Sequence, residues 1–381
     1  MMRNIWFQLH WLIGITAGSV LIVVGVTGAI LSFEPELSRA MNPAVMNVTP
    51  QRATLSPDAL VGRINAAVPE KRIAALTLAS SPQESARVTF APEPPAKRGE
   101  SRYVNPYSGE LLGKPAGEEF FRFVIQLHRY LAAGDIGKHI VGASTLGVVY
   151  LALSGLYLRW PATVFSVRSW LALRWSLKGR NFWWELHSVL GTWVLVVYLF
   201  AALTGLYWSY EWYRDAMFAV TGAPKPAQQQ AGGGADKAGG GPSITDAEIA
   251  KDLGRAWGGF RSQIEHFETA TIRMPSKAGK PVQITYLDRD PPHLRAVNRI
   301  LIDPASGNAV EHERYADKPM GAKIMSSVYA LHTGRFFGLP GVVILAIASL
   351  AMAISGISGW LLYLDRRRKK ARRKERILAR A

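Results

Sequence analysis

Four stretches of this 381-residue chain contain no Asp, Glu, Lys or Arg: residues 4–33, 140–158, 186–210 and 336–364. A helix needs roughly 20 apolar residues to cross a hydrocarbon core, so these runs predict four membrane spans and remove most soluble folds. The second run is the shortest. Its span, taken as 138–160, ends in Leu158-Arg159-Trp160, where the Arg stem can lie along lipid and the Trp can sit among headgroups. The first run is too long for a signal-peptide core and lacks a small-residue cleavage site, so it is expected to remain as an anchor.

Short loops decide orientation, because long ones cross the membrane regardless of charge. The link 161–185 and its border carry Arg159, Arg168, Arg174, Lys178 and Arg180, and residues 366–381 carry ten basic residues against Glu375 alone. Both segments are therefore expected in the cytoplasm, with spans 4–33, 138–160, 186–210 and 336–364 and with residues 34–127 and 211–331 outside. Residues 366–381 of the tail 365–381 supply nine of the net +17 charges. It reads as a segment touching anionic lipid rather than nucleic acid. Residues 222–243, rich in Gly, Ala and Gln, read as a flexible linker.

The chain repeats itself. At an offset of 177, Gln8-Leu9-His10 lies over Glu185-Leu186-His187, Gly14 over Gly191, and Val26-Thr27-Gly28 over Leu203-Thr204-Gly205. At 204, Leu127-His128 lies over Leu331-His332 and Leu153-Ser154-Gly155 over Ile357-Ser358-Gly359. The outer loops repeat at 198, Tyr103-Val104-Asn105-Pro106-Tyr107-Ser108-Gly109 over Leu301-Ile302-Asp303-Pro304-Ala305-Ser306-Gly307. Each reads as a strand entering a Pro turn released by Gly. The expected fold is a polytopic α-helical membrane protein. It has a four-span bundle with a pseudo-two-fold internal repeat and two small periplasmic α+β domains.

The four spans, the V-N-P-Y-S-G-E-L-L turn at 104–112, the L-H entries and the [ST]-G pairs together resemble the PepSY-associated transmembrane family over nearly the full length. In size and layout the chain is most similar to its inner-membrane, ferrioxamine-type ferric-siderophore reductases of Gram-negative bacteria. The resemblance implies haem held between the helices and reduction of siderophore-bound Fe(III) at the periplasmic face.

The chain has no Cys, which excludes disulfides, Cys-ligated iron–sulfur clusters and covalent c-type haem. Axial ligands for a haem must then be His or Met. Of eight His, five lie in or beside spans, where an ionisable group is costly and therefore a functional candidate. The repeat pairs His10 with His187 and His128 with His332. Gly14 and Gly191, one turn from the first pair, would leave room for a ring. His139 has no counterpart and is an alternative ligand to His128 or a partner for a haem propionate. His266, His293 and His312 read as surface residues. The [ST]-G pairs read first as packing positions, with cofactor clearance as the lesser alternative.

The reading that follows is a haem b oxidoreductase, two haems per chain, with His10, His187, His128 and His332 as axial ligands. It passes electrons from an unidentified cytoplasmic or quinol donor to a hydroxamate-type ferric siderophore. Substrate would dock near Arg129, Tyr130, Arg335 and Phe336, with periplasmic siderophore-binding proteins as further partners. No phosphate-binding loop or dinucleotide fingerprint appears. The competing reading is a haem-free PepSY membrane protein serving as a periplasmic binding or regulatory module. A permease reading is weaker, since the spans hold no acid and are expected to be unbroken.

Overall fold

A computed structural model describes residues 2–94, 99–225, 246–275, 277 and 279–379. Most of the linker expected at 222–243 lies outside the described residues. The helices are α1 (Met2–Ser32), α2 (Glu34–Met41), α3 (Pro43–Met46), α4 (Pro57–Ala67), α5 (Glu118–Tyr130), α6 (Gly134–Arg159), α7 (Val167–Leu171), α8 (Gly179–Trp193), α9 (Leu195–Ser209), α10 (Glu211–Thr221), α11 (Asp246–Gln263), α12 (Met320–His332) and α13 (Gly338–Leu378). The strands are β1 (Ile73–Ala79), β2 (Ala86–Phe90), β3 (Ser101–Val104), β4 (Leu111–Gly113), β5 (Thr269–Arg273), β6 (Val282–Tyr286), β7 (Asn298–Ile302) and β8 (Ala309–Glu313). The chain forms two compact units, one of residues 1–34, 119–219 and 328–381, the other of 35–118 and 220–327.

The first unit is helical. Among the described residues, Met2–Ser32, Gly134–Arg159 and Arg335–Leu378 are each long and apolar enough to cross a membrane, and α8 with α9 make a fourth crossing if the bent pair is one span. That pair departs from the expected unbroken helix: the axis turns by 63° at Val194. No Pro lies between Gly179 and Ser209, so the bend has another cause.

The long helices α1 and α13 pack closely because small residues let backbones approach. A Cβ at Gly25 would stand 2.5 Å from the Ser349 carbonyl oxygen, and one at Gly356 would stand 2.6 Å from Ile22. Around this contact Leu21, Val148, Tyr198, Ala202, Ala348 and Ala351 form the buried middle of the unit.

The second unit is built on one antiparallel sheet, not two. Its order is β4-β3-β2-β1-β5-β6-β7-β8, so each outer loop contributes four strands and the halves meet where β1 pairs with β5. At this seam Thr77 faces Thr271, with hydroxyls 2.9 Å apart. Separate four-stranded sheets would leave β1 and β5 as edges with unpaired N–H and C=O groups, and pairing β1 with β5 satisfies both, leaving β4 and β8 as the edges. Strand alternation buries one face: Val282, Ile284 and Tyr286 in β6 and Ile300 and Ile302 in β7 join Leu76, Val88, Leu253 and Phe260 in a single core.

Candidate functional site

All four repeated histidines are held in one recurring way. Each belongs to one helix and is received by a Ser-Gly or Thr-Gly pair on another. His10 of α1 meets Ser154 of α6, Nδ1 to Oγ 2.7 Å, and His128 of α5 meets Thr27 of α1 at 3.0 Å. His187 of α8 meets Ser358 of α13, and His332 of α12 meets Thr204 of α9, each at 3.0 Å. The glycine that follows makes room for the ring. A Cβ would stand 3.4 Å from His10 Cε1 at Gly155, 3.3 Å from His128 Cε1 at Gly28, 3.2 Å from His332 Cε1 at Gly205 and 3.6 Å from His187 Cε1 at Gly359.

The hydroxyls also fix the tautomers. Ser154 Oγ donates to the Tyr150 carbonyl at 2.7 Å, Thr27 Oγ1 to Val23 at 2.7 Å, Thr204 Oγ1 to Phe200 at 2.8 Å and Ser358 Oγ to Ser355 at 3.1 Å. Each hydroxyl proton is thus directed at a carbonyl one turn back, so the oxygen accepts from the ring. Two carbonyls, able only to accept, reinforce the assignment: Val24 O lies 3.1 Å from His128 Nδ1 and Ser355 O lies 3.0 Å from His187 Nδ1. Nδ1 therefore carries the hydrogen and Nε2 carries the lone pair, the arrangement by which a hydrogen bond at one nitrogen readies the other as a metal ligand.

The rings come together across the repeat. His10 and His187 have centroids 6.3 Å apart, and His128 and His332 have centroids 6.5 Å apart. Two imidazoles binding one metal end-on with bonds of about 2.0–2.1 Å, each centroid about 1.1 Å behind its nitrogen, would be separated by about 6.3 Å. Both pairs fit that spacing. Among the described residues no group of three or more His, Asp or Glu gathers to hold a bare ion, so a metal at either pair must bring its remaining donors with it. The pairs lie at different depths: His10 and the Val24–Thr27 cradle of His128 are 14–17 residues apart on α1, roughly 21–26 Å at 1.5 Å per residue.

The other expected residues are placed differently. His139 lies in α6 beside Tyr210, centroids 6.5 Å apart, and Gly142 lets the Tyr210 ring approach its helix. A Cβ at Gly191 would meet nothing within 4 Å and one at Gly14 only Leu151, at 3.8 Å. Packing among the described residues therefore does not require these glycines. Arg129 lies over the Tyr130 ring at 5.1 Å, Arg335 donates to the Ser32 carbonyl at 3.0 Å, and Phe336 stacks edge-on with Phe337. Directly after Tyr130 the chain strains: Leu131 and Ala132 take φ of 48° and 54°, a left-handed region that residues with a Cβ rarely occupy.

His293 corrects the surface reading. It is 5% exposed, and its Nδ1 accepts from the Arg295 N–H at 3.1 Å. Nε2 therefore holds the proton, facing Ser327 Oγ at 3.0 Å and Tyr315 Oη at 3.1 Å. Burial keeps its pKa below the usual range, and burial with nearby Arg314 does the same to His312. Tyr286 Oη lies 2.8 Å from His312 Nε2. These two histidines tie loops and strands together. His312, on the exposed strand β8, and His266 lie on the surface as expected.

A family model described as the PepSY-associated TM region matches residues 7–366 of the chain. No curated protein matches it.

Proposed function

The chain belongs to the PepSY-associated transmembrane family, and from that premise and the paired histidines we propose that it is a haem b oxidoreductase of the bacterial inner membrane. Its activity is to carry electrons to siderophore-bound Fe(III) at the periplasmic face. The observation that supports this most directly is the fourfold clasp: four Nδ1 atoms held by Ser or Thr, four Nε2 atoms left with lone pairs, and two pairs spaced for one iron each. A porphyrin would bring the remaining donors, since among the described residues no third His, Asp or Glu joins either pair. Bound haem b supplies a one-electron carrier at each of two depths.

The chain's own residues have definable tasks in this reading. His10 and His187 hold the cytoplasmic group, and His128 and His332 the periplasmic one. Ser154, Thr27, Ser358 and Thr204 keep every ring in its ligating tautomer and stop it rotating. Gly14 and Gly191 leave the face next to the first pair open to a flat ring. Span three, bent, completes a four-span bundle with both termini in the cytoplasm and the sheet unit in the periplasm. Arg129, Tyr130, Arg335 and Phe336 offer cationic and aromatic surface to a ferric hydroxamate. Hydroxamates hold Fe(II) much more weakly than Fe(III), so one electron loosens the complex. The donor is a cytoplasmic protein or a quinol, and the basic tail rests on anionic lipid.

Visible spectra of the detergent-purified protein, oxidised and dithionite-reduced, with a pyridine haemochrome assay, test the proposal. Two b-type haems per chain with sharp low-spin α and β bands are expected, and the reduced form is expected to be reoxidised by a ferric hydroxamate. A colourless protein from haem-replete cells would overturn it and favour the binding-module reading. Ser154→Ala and Thr204→Val are each expected to weaken haem retention at one site by about 10–100-fold, the usual effect of losing a ligand's hydrogen-bond partner. Transfer of haem to apomyoglobin measures it, and unchanged transfer rates would show that the clasp does not act on the ligand.

A further inference from the structure

Spans one and three, equivalent in the repeat, differ in one respect. Helix α1 runs unbroken through 31 residues, whereas its counterpart is split into α8 and α9 and turned by 63° at Val194. At the same place an arginine enters. Arg159, the last residue of α6, directs Nη1 at the Ser188 carbonyl and at Thr192 Oγ1, the latter at 2.6 Å, and Nη2 at the Ser169 carbonyl at 3.2 Å. In an intact α-helix the Ser188 carbonyl is the acceptor for the Thr192 N–H. Here that carbonyl also accepts from Thr192 Oγ1 at 2.9 Å, so the last turn of α8, helical through Trp193, carries two extra side-chain donors on one face. Side-chain bonds to a helix carbonyl bend a helix without Pro.

The repeat supplies an internal control. At an offset of 177, Ser188 and Thr192 correspond to Trp11 and Ile15, and at 204 Arg159 corresponds to Tyr363. At the equivalent place on α1 there is thus neither a guanidinium nor a hydroxyl to receive it, and α1 is unbroken. Neighbouring charge is arranged around the same turn. Glu185, only 4% exposed, is held by Arg174 through Nε and Nη2, at 2.9 and 2.7 Å, and through its backbone N–H at 2.9 Å. Trp193 Nε1 donates to the Leu171 carbonyl at 3.0 Å. The link that follows Arg159 is thereby fastened to α8 on either side of His187.

We propose that Arg159 is a positioning residue: it wedges against the turn of α8 that precedes Val194, bends span three there and so directs α8, with His187, toward Ser355 and Ser358 of α13. The functional part of this inference rests on the haem reading above, while the mechanical part does not. The benefit is reciprocal. A guanidinium near the bilayer must have its donors satisfied, and the last turn of α8 supplies a carbonyl and a hydroxyl. In exchange α8 and α9 take separate directions, α8 delivering His187 to α13 and α9 delivering Thr204 to His332.

Because the chain has no native Cys, spin labels can be placed at two introduced cysteines, replacing Trp184 on α8 and Leu203 on α9, both exposed. At 1.5 Å per residue a straight helix would separate these positions by about 28 Å, and a 63° bend reduces this to about 24 Å. Pulsed electron–electron resonance on the full chain in nanodiscs is expected to show a lengthening of about 4 Å in Arg159→Gln, a smaller one in Thr192→Val, and little change in Arg159→Lys. In the same Arg159→Gln protein the His187 site is expected to shift from low-spin to high-spin haem, with the His128–His332 site unchanged. An unchanged distance in both Arg159→Gln and Thr192→Val would overturn the wedge. Straightening in a protein that binds no haem would uphold the wedge and remove the haem reading. If Arg159→Gln fails to insert, Thr192→Val decides alone.

Discussion

The His10→Ala, His187→Ala double variant is expected to lose about half of the bound haem, one of two bis-His groups, and to accept no electrons from the cytoplasmic side. The haem that remains should keep its low-spin bands. The reason lies in how the sites are assembled: His128 and His332 are clasped by Thr27 and Thr204, and neither clasp uses His10 or His187. The reciprocal variant, His128→Ala with His332→Ala, should keep the other haem but fail to reduce a ferric hydroxamate added outside. Single His187→Ala leaves one axial nitrogen and is expected to give a high-spin spectrum. His139→Ala should retain both haems, because that ring stands beside Tyr210. Haemochrome stoichiometry with electron paramagnetic resonance measures each outcome. Full haem content in the first double variant would mean that the paired histidines are not the ligands.

The second large effect concerns the crossing of α1 and α13. Gly25→Ala is expected to destabilise the bundle by about 1–3 kcal/mol, the usual cost of overpacking, since the new Cβ would stand 2.5 Å from a backbone oxygen and 3.1 Å from the Ala353 nitrogen. Neither atom belongs to a flexible side chain, so relief requires the helices to separate. Gly62→Ala in α4 is the matched control: its Cβ would meet nothing within 4 Å. Alanine there should stabilise by about 0.8–1.0 kcal/mol through helix propensity. Thermal unfolding in detergent, followed by tryptophan fluorescence, should therefore move in opposite directions for the two substitutions. A Gly25→Ala protein as stable as the parent would show that the helices do not approach as closely as described.

Much of the candidate site was legible in the sequence because duplication makes a signal that chance does not. The 177-residue offset of His10 and His187, and the 204-residue offset of His128 and His332, pair residues whose rings lie together in the fold. The [ST]-G pairs were legible as a pattern but not in their use. Small residues in spans have packing as their ordinary explanation, and only the observed contacts reveal that the hydroxyl takes Nδ1 while the glycine clears Cε1. Two places misled. His293 has no local pattern that marks it as buried, since its partners Ser327 and Tyr315 lie 34 and 22 residues away. The outer loops read as two domains because each contains a complete local unit, and nothing within either loop announces that β1 will pair with β5.

What the sequence determined by itself is what depends on composition and period. Uncharged runs of sufficient length make membrane helices, alternation makes strands, and the 177-, 198- and 204-residue offsets impose equivalent halves. These are local or self-referential properties, readable without knowing which surfaces meet. What only the tertiary structure decided is where the halves differ and where they fuse. The 63° bend beside Arg159, the single eight-stranded sheet and the clasp around each imidazole all depend on atoms brought together from distant parts of the chain. Their energies come from hydrogen bonds and close packing that exist only once the helices and strands have met.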